Sequence, residues 1–378
     1  MREILTFCLV TACVSSRATA QTPAASPDYL VWVASEATDR IALVRYNTAT
    51  GAKVDREFTI GLLPTDPDGP HGLTVSPDRR FLYITTAHGQ PFGFLWKIDA
   101  VTSAVVGRVE LGMFPATLQL TPDGAFAYVV NFNVHGDMVP SSVSVVGTDD
   151  MIEIARVPTC TMPHGSRLNP QGTKQYSACM MDDQVVEIDT RTFGVSRVFS
   201  VAKGAEQVAT LPASSSMHTT HDAPRPTPHA PSCSPTWAQP SADGSRVYVA
   251  CNKSNEILEI DVSGWTLARR FPTADGVYNL AVTRDGQLLL ATNKRSQSVS
   301  IFEITTGKEL ARIPTKRRIV HGVVVSPDDR YAFISVEGIG SQPGTVEVID
   351  LRSRAAVAAA DVGQMAGGID FWKTEGGH

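Results

Sequence analysis

One stretch recurs along this chain and decides what it can fold into. Near the C-terminal end it reads Val320-His321-Gly322-Val323-Val324-Val325-Ser326-Pro327-Asp328-Asp329-Arg330-Tyr331-Ala332-Phe333-Ile334, an apolar run, a Ser-Pro-Asp turn and a second apolar run. Pro327 presets φ for the turn and the Asp carboxylate can bond the backbone two residues on, which makes the stretch a β-hairpin signal. The frame returns as HGLTVSPDRRFLYITT from His71, ATLQLTPDGAFAYVVN from Ala116, HGSRLNPQGTKQYSAC from His164, TWAQPSADGSRVYVAC from Thr236 and YNLAVTRDGQLLLATN from Tyr278. Aligned on Asp78, Asp123, Gln171, Asp243, Asp285 and Asp328, the copies step by about 45, 48, 72, 42 and 43 residues. The long step holds an insertion, at about residues 202–231.

A second pair of strand-like runs follows each hairpin, as in Phe94–Ile98 with Ala104–Val109 and Ile257–Ile260 with Leu267–Arg270, separated by turn-forming segments. Each repeat therefore holds four short strands, A to D, and no helical periodicity competes. That is the pattern of a propeller blade. The N-terminal runs Tyr29–Val33, Ile41–Tyr46 and Val54–Ile60 supply strands B, C and D without an A, and Gly367–Trp372 supplies an A without a blade. The expected fold is all-β, a seven-bladed β-propeller over residues 29–374, its ring closed by the C-terminal strand A joining the N-terminal strands B to D.

Tyr128-Val129-Val130-Asn131, Tyr248-Val249-Ala250-Cys251 and the Ser-Pro-Asp or Thr-Pro-Asp-Gly turns resemble the repeat of YVTN-type β-propellers, which are related to lactonase-like and haem d1-like propellers. The resemblance covers nearly all of the chain after the first 28 residues. It implies a fold, and it leaves function open because such propellers include binding proteins and enzymes. It also implies that the D-to-A and B-to-C connections share one face of the disc.

Arg2, the apolar run Ile4–Val14 and Ala18-Thr19-Ala20 read as an export signal, residues 1–20, followed by a lead-in at 21–28. Val10-Thr11-Ala12-Cys13 also reads as a lipobox, with Cys13 the lipidated residue. Either reading places the mature chain in the periplasm or outside the cell, without a transmembrane segment. A net charge of −5 with no basic block argues against a nucleic-acid partner, and a monomer is expected.

Cys160 precedes strand A of blade 4 and Cys179 ends its strand B; Cys233 and Cys251 take the matching places in blade 5. An antiparallel A–B hairpin returns to the rim where it started, so the register favours disulfides Cys160–Cys179 and Cys233–Cys251, each within its own blade. A bridge between Cys179 and Cys251 and four buried thiols are the alternatives.

On the implied faces, eight of the nine histidines share one side. His71, His164 and His321 open A strands in blades 2, 4 and 7, spaced nearly evenly round the ring. They are the candidate ligands of a transition metal, copper favoured for an exported protein, with Thr236 and Tyr278 as ligand-contacting neighbours. Each His-Gly pair also reads as a tight entry into strand A, its imidazole bonded to a neighbouring blade's backbone. His88 and His135 lie in B-to-C connections. His218, His221 and His229 lie in the insertion, which reads either as a lid carrying additional ligands or as a passive surface loop. Asp182, Asp183, Glu36 and Glu337 are rim carboxylates, and Lys294-Arg295 and Lys316-Arg317-Arg318 make a modest basic patch.

The sequence holds no Gly-rich phosphate loop, Cys-x-x-Cys-His attachment or Gly-x-Ser-x-Gly elbow, which disfavours nucleotide transfer, c-type haem and serine hydrolysis. Two classes of function remain. One is a binding module whose channel face takes a small molecule, a metal or a partner protein. The other is an enzyme, either a copper-type oxidoreductase or, on fold analogy, a lactonase-like hydrolase.

Overall fold

The computed structural model describes residues 26–63, 65–88, 92–209 and 230–376. The proposed export segment with Cys13, most of the lead-in, most of the insertion with His218, His221 and His229, and His378 lie outside the described residues. No helix among the described residues is long and apolar enough to cross a membrane.

The turn chemistry works as the repeat predicts. Asp78 Oδ1 accepts from Arg80 N at 3.0 Å and from the Ser76 hydroxyl, and Asp123, Asp243, Asp285 and Asp328 repeat both contacts in their own turns. Each such turn closes a hairpin, and successive hairpins build antiparallel meanders. Among the described residues five four-stranded sheets result, together with one nine-stranded sheet, in a propeller-like all-β arrangement.

In the nine-stranded sheet two meanders meet edge to edge. Pro163–Leu168 and Pro235–Pro240 run parallel and pair at a single position, Gly165 opposite Trp237. Three antiparallel strands extend from each, and Gln207–Ala209 adds a short outer strand to the first. The chain ends close in the expected way. Ala366–Glu375 pairs antiparallel with Asp28–Ser35, Val33 lying opposite Ile369 and Val31 opposite Phe371.

Burial falls along each meander. The first strand is almost wholly buried, as in Pro70–Val75, whereas the last alternates with solvent, as in Val105–Glu110. The first strands touch in a closed circuit: Ala366–Glu375 against Pro70–Val75, then Pro115–Leu120, Pro163–Leu168, Pro235–Pro240, Val277–Val282, Val320–Val325 and back. Their side chains surround a central channel.

Apolar cores fill the wedges between sheets. Tyr29, Tyr46, Tyr331 and Phe333 pack across the seam between the chain's two ends, with Tyr29 and Tyr46 both edge-on to Tyr331 at 4.9 Å. The Tyr29 hydroxyl donates to Asp328 Oδ2 at 2.7 Å, so the seam is tied to the last Ser-Pro-Asp turn. Such aromatic pairs add about 1 kcal/mol each beyond the area they bury.

Both disulfides form between the expected partners, Cys160 with Cys179 and Cys233 with Cys251. One corrects the expected geometry. Cys160 lies in Ile152–Thr161, the outer strand of the preceding sheet, because that strand runs on to pair Thr161 with Pro140. Its disulfide therefore links two neighbouring sheets and does not lie within one.

Candidate functional site

Every inner strand is entered through a residue in the left-handed region: Gly69, Phe114, Met162, Ser234, Gly276, Ile319 and Met365, with φ between +49° and +75°. This kink turns the chain from an outer edge down into the channel, and the residue two places later opens the mouth. Those residues are His71, Ala116, His164, Thr236, Tyr278, His321 and Gly367. The glycine after each of the three histidines has a packing cause. A Cβ on Gly72 would stand 2.0 Å from the Ala116 carbonyl oxygen, and one on Gly165 2.4 Å from that of Thr236, so these strands lie closer than a side chain permits.

His71, His164, His321, His88 and His135 line one cavity of about 240 Å³ together with Tyr278, Lys294, Glu36 and Glu337. Ring centroids are 5.5 Å apart for His71 and His321, 6.4 Å for His71 and His164, and 5.0 Å for Tyr278 and His321. Phe114 and Phe132 form an aromatic wall, Phe132 standing 4.8 Å from His164 and Phe114 4.9 Å from His88.

The three central histidines differ in what holds them. His164 is satisfied on both nitrogens: Nδ1 is 2.9 Å from the Thr236 carbonyl and Nε2 is 2.9 Å from the Tyr278 hydroxyl. A carbonyl only accepts, so Nδ1 carries the proton and Tyr278 donates to Nε2. The ring is neutral, its pKa pushed down to about 3 by burial first, with His71 and Lys294 nearby adding to the fall. Thr236 faces away from the cavity, buried, with its hydroxyl on the Tyr278 carbonyl at 2.8 Å. It positions Tyr278 and His164 from behind.

His71 presents one bonded and one bare nitrogen. Its Nδ1 lies 2.7 Å from Glu36 Oε2, and its buried Nε2 has no partner among the described residues. Glu36 stands on the 3₁₀ turn Glu36–Thr38, and the next residue, Asp39, accepts from the backbone of Asp68 and Gly69 just before His71. The carboxylate and imidazole are thus fixed by the same loop contact. Glu36 also bonds His88 Nε2, whose ring fits only because Gly69 has no side chain: a Cβ there would be 2.2 Å from His88 Cδ2. His321 likewise has a buried Nδ1 with no partner among the described residues, and its Nε2 is 3.8 Å from Glu337 Oε1. Burial, then Lys294 and the other histidines, hold His321 well below the usual imidazole range.

Lys294 Nζ bonds Glu337 at 2.9 Å and lies 4.0 Å from the Tyr278 ring centre. Burial opposes its charge, yet Tyr278 and Glu337 keep its pKa above the lysine range. Burial also raises the Tyr278 phenol. Sequence reasoning placed Lys294 in a surface patch, but its neighbours go elsewhere: Arg295 bonds Asn252 and Asn255, and Arg317 pairs with Asp361. Asp182 and Asp183 are structural, Asp182 accepting from Thr161 N and Asp183 from the backbone of Ser232, Cys233 and Ser234. Phe114 and Phe132 gave no sequence signal, since their positions vary in residue type from repeat to repeat. Among the described residues, no group of three or more His, Cys, Asp or Glu side chains is arranged to hold a metal ion.

Glu36 gives a pH signature. Although burial alone raises it, His71 and His88 hold its carboxyl below the ordinary range, and the Glu36 hydrogen bond raises His88. A depressed carboxyl stabilises above its unfolded value, near 4.3; a raised histidine stabilises below its unfolded value, near 6.5, and loses this as pH climbs through its folded value. Glu36→Gln is therefore expected to cost most stability between about pH 4.5 and 6.5, as read by Tm across pH. A difference independent of pH rejects the ion-paired reading.

No protein-family model and no curated protein matches the sequence. Solved structures do. The periplasmic gluconolactonase PpgL of Pseudomonas aeruginosa aligns at TM-score 0.68 and 17% identity over 92% of this chain and 99% of its own. Hydrazine synthase of Kuenenia stuttgartiensis aligns at 0.61 and 21% over 81% and 90%, and the dihydro-heme d1 dehydrogenase NirN at 0.58 and 13% over 90% and 75%. The fold is that of the β-propellers. At these identities the likeness speaks for the propeller architecture alone, and the YVTN-type repeat stays a resemblance of sequence.

Proposed function

We propose that this chain is an exported seven-bladed β-propeller that binds a small, polar, sugar-like molecule at its histidine-lined mouth. The observation that carries this reading is the convergence of His71, His321, Glu36, Glu337 and Lys294 on one cavity, where among the described residues the buried His71 Nε2 and His321 Nδ1 have no hydrogen-bond partner. A buried polar atom without a partner costs about 1–3 kcal/mol, which a ligand hydrogen bond removes. Glu36, Glu337 and Lys294 supply acceptors and a donor, and the Phe114 and Phe132 rings supply a flat apolar wall, a mixture suited to a polyhydroxylated ring. Seven blades follow from taking the nine-stranded sheet as two blades joined at Gly165 and Trp237. Export is supported by the two disulfides, which persist in oxidising compartments.

The likeness to a gluconolactonase makes glucono-δ-lactone and gluconate the first probes. In a calorimetric titration wild type binds one of them, and His71→Ala with His321→Ala loses at least about tenfold in affinity. Equal binding by the double variant rejects the site. Turnover of the lactone would extend the reading to hydrolysis, with His71 as general base oriented by Glu36.

A second reading is a transition-metal site, favoured by the Glu36–His71 contact, since metal-ligating histidines commonly carry a carboxylate on the far nitrogen. His71 and His321 would hold the ion, and His164 would join only after Tyr278 releases its Nε2. Metal content of protein from the export compartment separates the two readings. Stoichiometric copper or zinc that is lost in His71→Ala supports the metal.

A further inference from the structure

The inner strands end, as well as begin, in a cavity. Where the histidines open the strands at one mouth, the residues closing them line a cup of about 540 Å³ at the other, including Thr74, Gln119, Gln239 and Arg284. The cup narrows into a space of about 210 Å³, and there Arg167 projects from the inner strand Pro163–Leu168.

Arg167, half-buried in the neck, is under-used for a guanidinium held inside the fold. Its Nη1 donates to the Ser166 carbonyl at 2.9 Å, and its Cζ lies 4.3 Å from the centre of the Trp237 ring. Among the described residues no carboxylate stands within ion-pair distance of it. Burial lowers its pKa to about 10, with Asp370 the charge that opposes the fall. The indole N–H of Trp237, a residue 3% exposed, has no partner among the described residues either.

The carboxylates lining the neck are already engaged. Asp370 accepts from the Thr74 hydroxyl at 3.0 Å and from Val75 N and Phe371 N at 2.8 Å. Asp329 accepts from Arg284 N and Asp285 N. Gln119 receives Leu168 N on its oxygen, which leaves its NH₂ group to donate. The neck thus offers N–H donors around a fixed cation. A guanidinium with free donors on an aromatic face is built for planar, two-point recognition of an oxyanion.

We propose that this far mouth is a second binding site, for a small molecule carrying a carboxylate or phosphate group, with Arg167 as its anion contact and Gln119 beside it. It lies along the same channel as the histidine mouth, the two being joined by a narrow space of about 30 Å³ lined by His71, His321, Arg167 and Trp237.

Inorganic phosphate and malonate, titrated separately into the full mature protein by calorimetry at low salt, are the probes, and the one that binds names the group. Wild type binds one of them at one per chain. Arg167→Met weakens that binding by about tenfold or more, and Arg167→Lys by less. Should Arg167→Met fail to fold, Gln119→Glu keeps the oxygen that holds Leu168 N and sets a negative charge beside the anion, again weakening binding about tenfold. No binding of either probe at millimolar concentration, or binding by folded Arg167→Met or Gln119→Glu equal to wild type, overturns the proposal.

Discussion

Reducing both disulfides destabilises this protein by on the order of 6 kcal/mol. The bridges span 19 and 18 residues, and loops of that length restrict the unfolded chain by about 3 kcal/mol each. Position adds to loop entropy. Cys160–Cys179 ties the outer strand of one sheet to the next sheet, and Cys233 anchors the chain two residues before the inner strand Pro235–Pro240. All four half-cystines are buried, so thiols there also leave poorly filled space. Guanidinium unfolding with and without reductant, and of Cys160→Ala with Cys179→Ala, measures the effect. Unchanged midpoints would mean that the sheets hold their arrangement without covalent help.

Acid is the second large lever, and it acts through the mouth. His164 and His321 are buried and neutral, both held below the ordinary imidazole value. A histidine with a depressed folded pKa binds its proton in the unfolded state first, so stability falls as pH drops below the unfolded value, near 6.5. Each such group costs about 1.4 kcal/mol per pH unit until its folded pKa is reached. For His164, whose folded value is about 3, the loss from pH 6.5 to 4.5 is about 3 kcal/mol. His164→Asn removes the titration, so its stability deficit relative to wild type at pH 7 shrinks by that amount at pH 4.5. A deficit constant across the range would show that the wild-type ring titrates normally.

The repeat was legible because its chemistry is local. Ser76 with Asp78, and the matching pairs at Asp123, Asp243, Asp285 and Asp328, fix their turns through contacts two residues apart, Asn169 fixes the turn of the Gln171 copy by accepting from Thr173 N and Lys174 N, and spacing alone then counts the hairpins. The join of the chain ends was readable for a similar reason, as unpaired strands at both termini need each other. Side-chain direction was not legible. His71 and His164 occupy equivalent positions, yet one keeps a bare nitrogen and the other is bonded on both sides by residues 72 and 114 positions away. Lys294 and Arg295 are adjacent in the turn that follows the strand Leu288–Asn293, and only the first reaches the cavity. The extra length of Ile152–Thr161, which moved Cys160 to a neighbouring sheet, depends on the pairing of Thr161 with Pro140 and left no mark in the repeat spacing.

The most direct measurement is a nitrogen–proton correlation spectrum of ¹⁵N-histidine-labelled protein, alone and with glucono-δ-lactone, gluconate or zinc. His164 is expected as the neutral Nδ1–H tautomer, its nitrogens little changed by the lactone or gluconate. The Nε2 of His71 and the Nδ1 of His321 are expected to shift with at least one probe. A folded protein in which those two nitrogens stay fixed with all three, or in which His164 is protonated at neutral pH, contradicts the binding mouth described above.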